Sequence, residues 1–147
     1  MKLQPDSSDV QSITGYGPGW ISVDRDKLGH SVLLSSTGLR LDWDCTRFAG
    51  LTAQHFDQLA QHALATGAEV VIFGSGGRLR FVSPAWQRQL MAQRVGMETM
   101  DTQAACRTYN ILAGEGRKVL AALLLEQSDA SFTLMGESIA AGRPEAP

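Results

Sequence analysis

The chain has 147 residues, of which 44% are hydrophobic and 19% are charged, and its formal net charge is −2. This length suits one domain, and the composition excludes a disordered chain, which would contain fewer apolar residues and carry a larger net charge. The small negative charge provides no long-range attraction to nucleic acid or to an anionic membrane, so we expect no nucleic-acid partner.

The first third of the chain predicts short β-strands. Segments rich in β-branched, aromatic or alternating residues lie at positions 13–16, 20–23, 31–35 and 39–41. Turn-forming residues separate these segments, including a continuous stretch at positions 24–29. We therefore expect N-terminal β-segments before the first helix.

The spacing of the apolar residues becomes helical after residue 50. The predicted buried stripe consists of Phe56, Leu59, Ala60, Ala63 and Leu64, which are three or four residues apart. Thr52 is placed to be the N-cap, and Gly67 follows the stripe where helices often end in a glycine. We expect one amphipathic helix between these two residues.

Strands and helices alternate in the middle of the chain. The continuous apolar run at positions 70–73 predicts a strand covered on both faces, and positions 96–100 predict a second strand. Helices are expected to begin at Ser83 and at Asp101 or Thr102. This alternation predicts a parallel sheet with right-handed crossovers and with helices on its faces.

The segment at positions 119–125 fits two structures. Its leucines and alanines favour a helix, whereas Gly114 and Gly116 interrupt the chain just before it. A buried strand and a helix both agree with its length, so periodicity alone leaves both open.

The helix that runs from Thr102 to about Ala113 is predicted to have two distinct faces. Its inward face would contain Ala104, Ala105, Thr108, Ile111 and Leu112. The opposite face would contain Gln103, Arg107 and Asn110, with Cys106 beside them. Such a polar stripe is suited to holding an anion or the carboxylates of a partner, and the alternative is a solvated surface. Glu115 and Arg117 follow the helix and are expected to pair locally.

A second candidate is the glycine turn (Gly74, Ser75, Gly76 and Gly77), which follows a strand as phosphate-binding loops do. Leu79 stands where a dinucleotide fingerprint has its third glycine, and the Gly-Lys-Ser/Thr sequence of a P-loop is absent. Parallel strands end at the same sheet edge, so we expect the glycine turn beside Thr102, with free N–H groups converging on an anion. The alternative is a plain strand-end turn.

The cysteines and histidines predict no disulfide, metal site or cofactor. Cys45 and Cys106 are expected to be free thiols, because two cysteines form no disulfide framework. His55 and His62 are two helical turns apart, about 10 Å, which is too far to share a metal ion. The first ten residues lack the apolar core of a signal peptide, and no apolar run reaches the ~20 residues of a membrane span, so the cytoplasm is the expected location.

Several blocks match one known family in order. They are YGPGWI at 16–21, VIFGSG at 71–76, MDT at 100–102, AACRTYN at 104–110 and EGR at 115–117. Over residues 10–126 the chain resembles the domain of unknown function shared by small bacterial and archaeal proteins. Relatives of that family include a mitochondrial assembly factor for respiratory complex I and an adipogenesis-associated mammalian protein. We expect a single domain over this range, with residues 1–9 and 127–147 as flexible or loosely docked tails.

The resemblance also implies a fold: a three-layer β/α arrangement with a central mixed, mostly parallel sheet in which one strand runs against the others. It implies that positions 119–125 form a strand, and it brings no established catalytic residues.

These observations favour a non-catalytic protein-interaction module, similar to an assembly factor, whose partner is a subunit of a respiratory or other membrane complex. The alternative is a small-molecule anion-binding domain or enzyme, with its pocket at the glycine turn and the Thr102 helix start. The candidate site residues are Gly74, Ser75, Gly76, Gly77, Thr102, Arg107, Asn110, Glu115 and Arg117.

Overall fold

The computed structural model describes residues 10–126 of the chain. The two tails expected from the sequence, 1–9 and 127–147, lie outside the described residues.

The described part contains eight strands and three α-helices. The strands are β1 (Ile13–Gly17), β2 (Trp20–Val23), β3 (Asp26–Leu28), β4 (Val32–Ser35), β5 (Arg40–Asp42), β6 (Val70–Gly74), β7 (Gly96–Met100) and β8 (Val119–Leu123). The helices are α1 (Ala53–Thr66), α2 (Arg88–Ala92) and α3 (Thr102–Gly114), and short 3₁₀ turns form at Phe48–Gly50 and Pro84–Gln87.

The central sheet has five strands in the order β5-β4-β8-β6-β7. β6 pairs in parallel with both β7 and β8, whereas β4 is antiparallel to its neighbours β8 and β5. Only β4 therefore runs against the other strands, which confirms the mixed sheet that the resemblance implies. The segment at 119–125 supplies strand β8, so the resemblance was also correct there. A separate antiparallel sheet contains β1, β2 and β3.

Successive residues of β6 point to opposite faces of the sheet and divide the core in two. Val71 and Phe73 pack with Phe56 of α1 on one face. Ile72 packs on the other face with residues of α3 and of the small sheet, among them Tyr109. All of these side chains are fully buried, so the domain consists of α1 with α2, the five-stranded sheet, and α3 with the small sheet.

Helix α1 begins and ends at the residues that the sequence predicts. Thr52 and His55 form a capping box, in which the His55 Nδ1 accepts the Thr52 N–H at 3.0 Å. Gly67 has φ of 66° and ends the helix in the left-handed conformation that glycine adopts without strain. Four of the five predicted stripe residues are buried, and Leu64 is 70% exposed because it lies at the edge of the stripe.

Two local predictions were wrong. The stretch 24–29, predicted as a turn, contains the edge strand β3, whose charged residues suit an exposed sheet edge. The helix expected at Ser83 begins as a 3₁₀ turn and continues only as the five-residue helix α2. Ser83 Oγ does accept the Ala85 N–H at 3.3 Å, so the helix start is where the sequence places it.

The predicted inward face of α3 was also wrong in part. The buried residues are Thr102, Ala105, Cys106, Tyr109 and Ala113, whereas Ile111 is 60% exposed and Leu112 is half-buried. The buried stripe is rotated because the sheet covers α3 on one side and β1 covers it on another. Tyr109 is buried between these two elements. Its hydroxyl group is satisfied there, because it donates to the Gln11 carbonyl oxygen at 2.9 Å.

Candidate functional site

The ends of the parallel strands meet where the sequence predicts a site. Beyond the last strand pairs, Ser75 N–H donates to the Met100 carbonyl oxygen at 2.8 Å, and Leu124 N–H donates to the Gly74 carbonyl oxygen at 3.0 Å. The glycine turn and the start of α3 are thus in direct contact, since Thr102 N–H donates to the Gly76 carbonyl oxygen at 2.9 Å.

Thr102 joins these strand ends through its side chain. Its Oγ1 accepts the Gly76 N–H at 2.8 Å and donates to the Leu124 carbonyl oxygen at 2.7 Å. Asp101 caps the helix, as the sequence predicts, with its Oδ1 accepting the Ala104 N–H at 2.9 Å. The expectation of free, converging N–H groups is therefore wrong: the N–H groups of Ser75, Gly76 and Thr102 are all used inside the protein.

Two glycines of the turn are required by close packing. A Cβ at Gly74 would lie 3.0 Å from the backbone Cα of Thr102, so glycine lets α3 approach the strand end. Gly76 has φ of +101°, and a Cβ there would overlap the side chains of Arg80 and Glu126. A Cβ at Gly77 would meet open space, so this residue is free of such packing.

A cleft of about 450 Å³ opens beside this junction. We call it the strand-end cleft. Its lining residues are Gly17, Pro18, Gly19, Arg47, Ala49, Gly76, Gly77, Arg80, Thr102, Gln103, Leu124, Leu125 and Glu126. Its charged lining residues are Arg47, Arg80 and Glu126. They were not predicted from the sequence as site residues, because they belong to distant segments that only the fold brings together.

Arg80 and Glu126 form an ion pair on the wall of the cleft. The Arg80 guanidinium also donates to the Ser75 carbonyl oxygen at 2.7 Å and lies 4.6 Å from the centre of the Phe48 ring. Glu126 in turn accepts the Phe48 N–H at 3.0 Å. Burial acts to raise the pKa of Glu126, but hydrogen bonds from Phe48, Arg80 and Gly77 and the charge of Arg80 outweigh it and hold that pKa below its ordinary value.

Arg107 and Asn110 lie away from the cleft and contact strand β1. Asn110 accepts the Ile13 N–H through Oδ1 at 2.9 Å and donates through Nδ2 to the Ile13 carbonyl oxygen at 2.8 Å. Arg107 donates to the Tyr16 hydroxyl at 3.0 Å, and this hydrogen bond is the main cause that raises the pKa of Arg107. Asn110 thus fastens α3 to the small sheet, and Arg107 adds only an exposed contact to it.

Glu115 and Arg117 do not pair with each other, contrary to the prediction. Arg117 Nε donates to Glu69 Oε1 at 3.0 Å, across the start of the parallel strands. Glu115 is exposed after the last turn of α3, where its backbone N–H caps carbonyl groups of the helix. The nine predicted site residues therefore divide into five at the strand ends and four elsewhere.

The two thiols are free, as predicted, and both are buried, although Cys106 was expected beside the polar face of its helix. Burial raises the pKa of Cys106 to about 12, so this thiol is not a thiolate near neutral pH. Burial also raises the pKa of Cys45, whose Sγ donates to the Arg47 carbonyl oxygen at 3.0 Å. Between residues 10 and 126 no cluster of three or more potential metal ligands occurs, and no helix there is long and apolar enough to cross a membrane.

Comparison with known proteins places this architecture in a family. An uncharacterized protein of Rhodobacter capsulatus is 32% identical over 122 residues, which are 82% of this chain and 90% of that protein. The bovine NADH dehydrogenase (ubiquinone) 1 alpha subcomplex assembly factor 3 is 26% identical over 137 residues, which are 92% of this chain and 72% of that protein.

A solved structure shares the fold. The solution structure of a Mth938-like domain protein from Bordetella pertussis has a TM-score of 0.74 and 34% identity, covering 90% of this chain and 98% of that one. Residues 13–124 match the family described as a protein of unknown function, DUF498/DUF598. The chain belongs to this family.

Proposed function

We propose that the chain is a protein-interaction module of the assembly-factor type, which acts in the cytoplasm on a subunit of a respiratory or other membrane complex. The relatives named as assembly factors of NADH dehydrogenase support this class of function. The observation that carries the proposal is a pair of exposed apolar side chains, Leu79 and Phe81, on a loop whose backbone is hydrogen-bonded to Ser75.

The loop follows the glycine turn and contains Arg78, Leu79 and Phe81; we call it the apolar loop. Leu79 is 52% exposed and Phe81 is 70% exposed, although the neighbouring Val82 is buried in the core. Large apolar side chains that are close together and exposed are typical of surfaces that bind other proteins.

Hydrogen bonds hold the backbone of the apolar loop in place. The Ser75 hydroxyl donates to the Arg78 carbonyl oxygen at 2.8 Å and accepts the Arg80 N–H at 3.0 Å. The Arg80 side chain is held by Glu126. Because the loop is already ordered, a partner would bind it without a large loss of conformational entropy.

The chemistry of the loop suggests the surface of its partner. Arg78 is exposed, and its guanidinium group has no ion-pair partner within the described range. A matching surface would offer a hydrophobic depression for Phe81 and a carboxylate for Arg78. Aromatic and arginine side chains of this kind contribute much of the binding energy in protein interfaces.

The proposal is tested by affinity purification at native expression, followed by mass spectrometry. The variants are Leu79→Ser with Phe81→Ser, and Ile111→Ser as the matched control, because Ile111 is 60% exposed but lies on the opposite face of the central sheet. We expect a membrane-complex subunit to be recovered with the wild-type protein and with the Ile111 variant, and to be lost with the loop variant. Equal recovery with all three proteins would contradict the apolar loop as the binding surface.

A further inference from the structure

The strand-end cleft has the size and place of a ligand site. Its volume of about 450 Å³ lies within the range of about 300–1,000 Å³ that small-molecule pockets occupy. It opens at the carboxyl ends of β6 and β8, and in open α/β sheets ligands bind outside the carboxyl ends of strands.

The charges of the cleft favour an anion. The described residues that line the cleft include two arginines, Arg47 and Arg80, and one carboxylate, Glu126, so one guanidinium group is in excess. Arg80 is paired with Glu126, whereas the Arg47 side chain is exposed and has no partner in the described part of the chain. Of the two arginines that line the cleft, Arg47 is therefore the one available to an incoming ligand.

Other lining groups add to this preference. Gln103 belongs to the first turn of α3, so its carboxamide can donate a hydrogen bond in the region where the helix dipole adds partial positive charge. Gly19 and Gly77 have no side chains and no close packing at the Cβ position, so a ligand can approach the backbone there, whereas the Trp20 ring packs against Gly17. Pro18 and Ala49 provide apolar contact surface.

We propose that the strand-end cleft binds a small organic acid, with Arg47 holding its carboxylate and the glycine-lined wall receiving its apolar body. One excess guanidinium group matches one negative charge. A guanidinium group is planar and can donate two parallel hydrogen bonds to the two oxygens of a carboxylate. A phosphate ester would bring a second charge, which Glu126 opposes. This site is separate from the proposed protein-binding surface, since it depends on Arg47 rather than on Leu79 and Phe81.

The test is an NMR titration of the full ¹⁵N-labelled chain with sodium benzoate at constant ionic strength. We expect saturable shifts of the amide signals of Gly76, Gly77 and Gln103, with millimolar affinity, and weaker binding of acetate, which lacks the apolar body. Arg47→Gln should weaken benzoate binding about ten-fold or more, which corresponds to one hydrogen bond between charged groups. Arg88→Gln, a change at another exposed arginine, should leave the affinity unaltered.

Three results would overturn the proposal. The absence of a saturable shift at the cleft on addition of benzoate would exclude a carboxylate site there. Equal affinity of the wild type and the Arg47 variant would remove the residue on which the site depends. Tighter binding of inorganic phosphate than of benzoate would exclude the preference for a carboxylate. None of these results concerns the apolar loop. If the carboxylate site is excluded, the proposed interaction function is still tested separately by the Leu79 and Phe81 variants.

Discussion

At the scale of single residues, Thr102 begins helix α3 and also links the ends of two strands through its side chain. Its hydroxyl group accepts one buried backbone hydrogen bond, from Gly76, and donates another, to Leu124. Neither backbone group has a ladder partner, because both lie just beyond the ends of their strands. One hydroxyl thus supplies the donor and the acceptor that two strand ends lack.

Replacing Thr102 by valine removes the hydroxyl and keeps the shape of the side chain. Each buried polar group left without a partner costs about 1–3 kcal/mol, so we expect Thr102→Val to lower the free energy of unfolding by about 2–4 kcal/mol. Thr102→Ser retains the hydroxyl and should cost about 1 kcal/mol, the loss of one buried methyl group. Urea denaturation measures both values, and equal losses in the two variants would refute the role of the hydroxyl.

At the scale of elements, helix α3 fastens the small antiparallel sheet to the central one. β1 is an edge strand, and the Asn110 side chain binds both backbone groups of Ile13, as a neighbouring strand would. The Tyr109 hydroxyl binds the Gln11 carbonyl oxygen just before the strand. A polar stripe that resembles a ligand site in the sequence is thus in part an interface between two elements of the same chain.

The Asn110 contact gives a prediction for this interface. Asn110→Ala leaves the Ile13 N–H and carbonyl groups unpaired, so we expect the protein to lose about 1–3 kcal/mol of stability. Hydrogen exchange at the Ile13 amide should become faster than in the wild type. Arg107→Gln is the control, since it removes only an exposed contact with Tyr16 and should leave both quantities nearly unchanged. Unaltered exchange at Ile13 in the Asn110 variant would contradict the proposed fastening.

The elements of the sequence were predictable where their signals are local. Thr52 and Gly67 delimit α1 through chemistry within one helical turn, and the apolar run at 70–73 marks a strand buried on both faces. The buried face of α3 was not predictable in the same way, because two different elements cover the helix and Tyr109 buries more surface than Ile111. For the cleft, the glycine turn was a local signal, whereas the position of its charges depends on contacts between distant segments.

At the scale of the whole molecule, Glu126 connects segments from three parts of the chain. It follows β8, pairs with Arg80 after the glycine turn, and accepts the N–H of Phe48 from the loop after β5. Gly76 must be a glycine to leave room for this ion pair. The Arg80–Glu126 ion pair thus stabilises both the strand-end cleft and the apolar loop, although these are different surfaces.

This connection makes the stability of the protein depend on pH. The pKa of Glu126 lies below its ordinary value of 4.5, so the carboxylate stabilises the fold fully above that pH and loses its contribution as the pH falls through the folded-state pKa. We expect Glu126→Gln to destabilise the protein by about 1.5–3 kcal/mol at neutral pH, because it removes hydrogen bonds to a charged group. The difference from the wild type should shrink steadily in acid below pH 4.5.

Urea denaturation of the wild type and of Glu126→Gln at a series of pH values measures this difference directly. Carboxyl groups common to both proteins contribute equally and cancel in the comparison. Glu69→Gln is the matched control: its carboxyl pKa is also lowered, chiefly by the hydrogen bond from Arg117, but this pair is exposed and screened by solvent, so its effect should be smaller at every pH. A Glu126→Gln difference that stays constant from neutral to acid pH would show that the charge of Glu126 does not hold these three segments together.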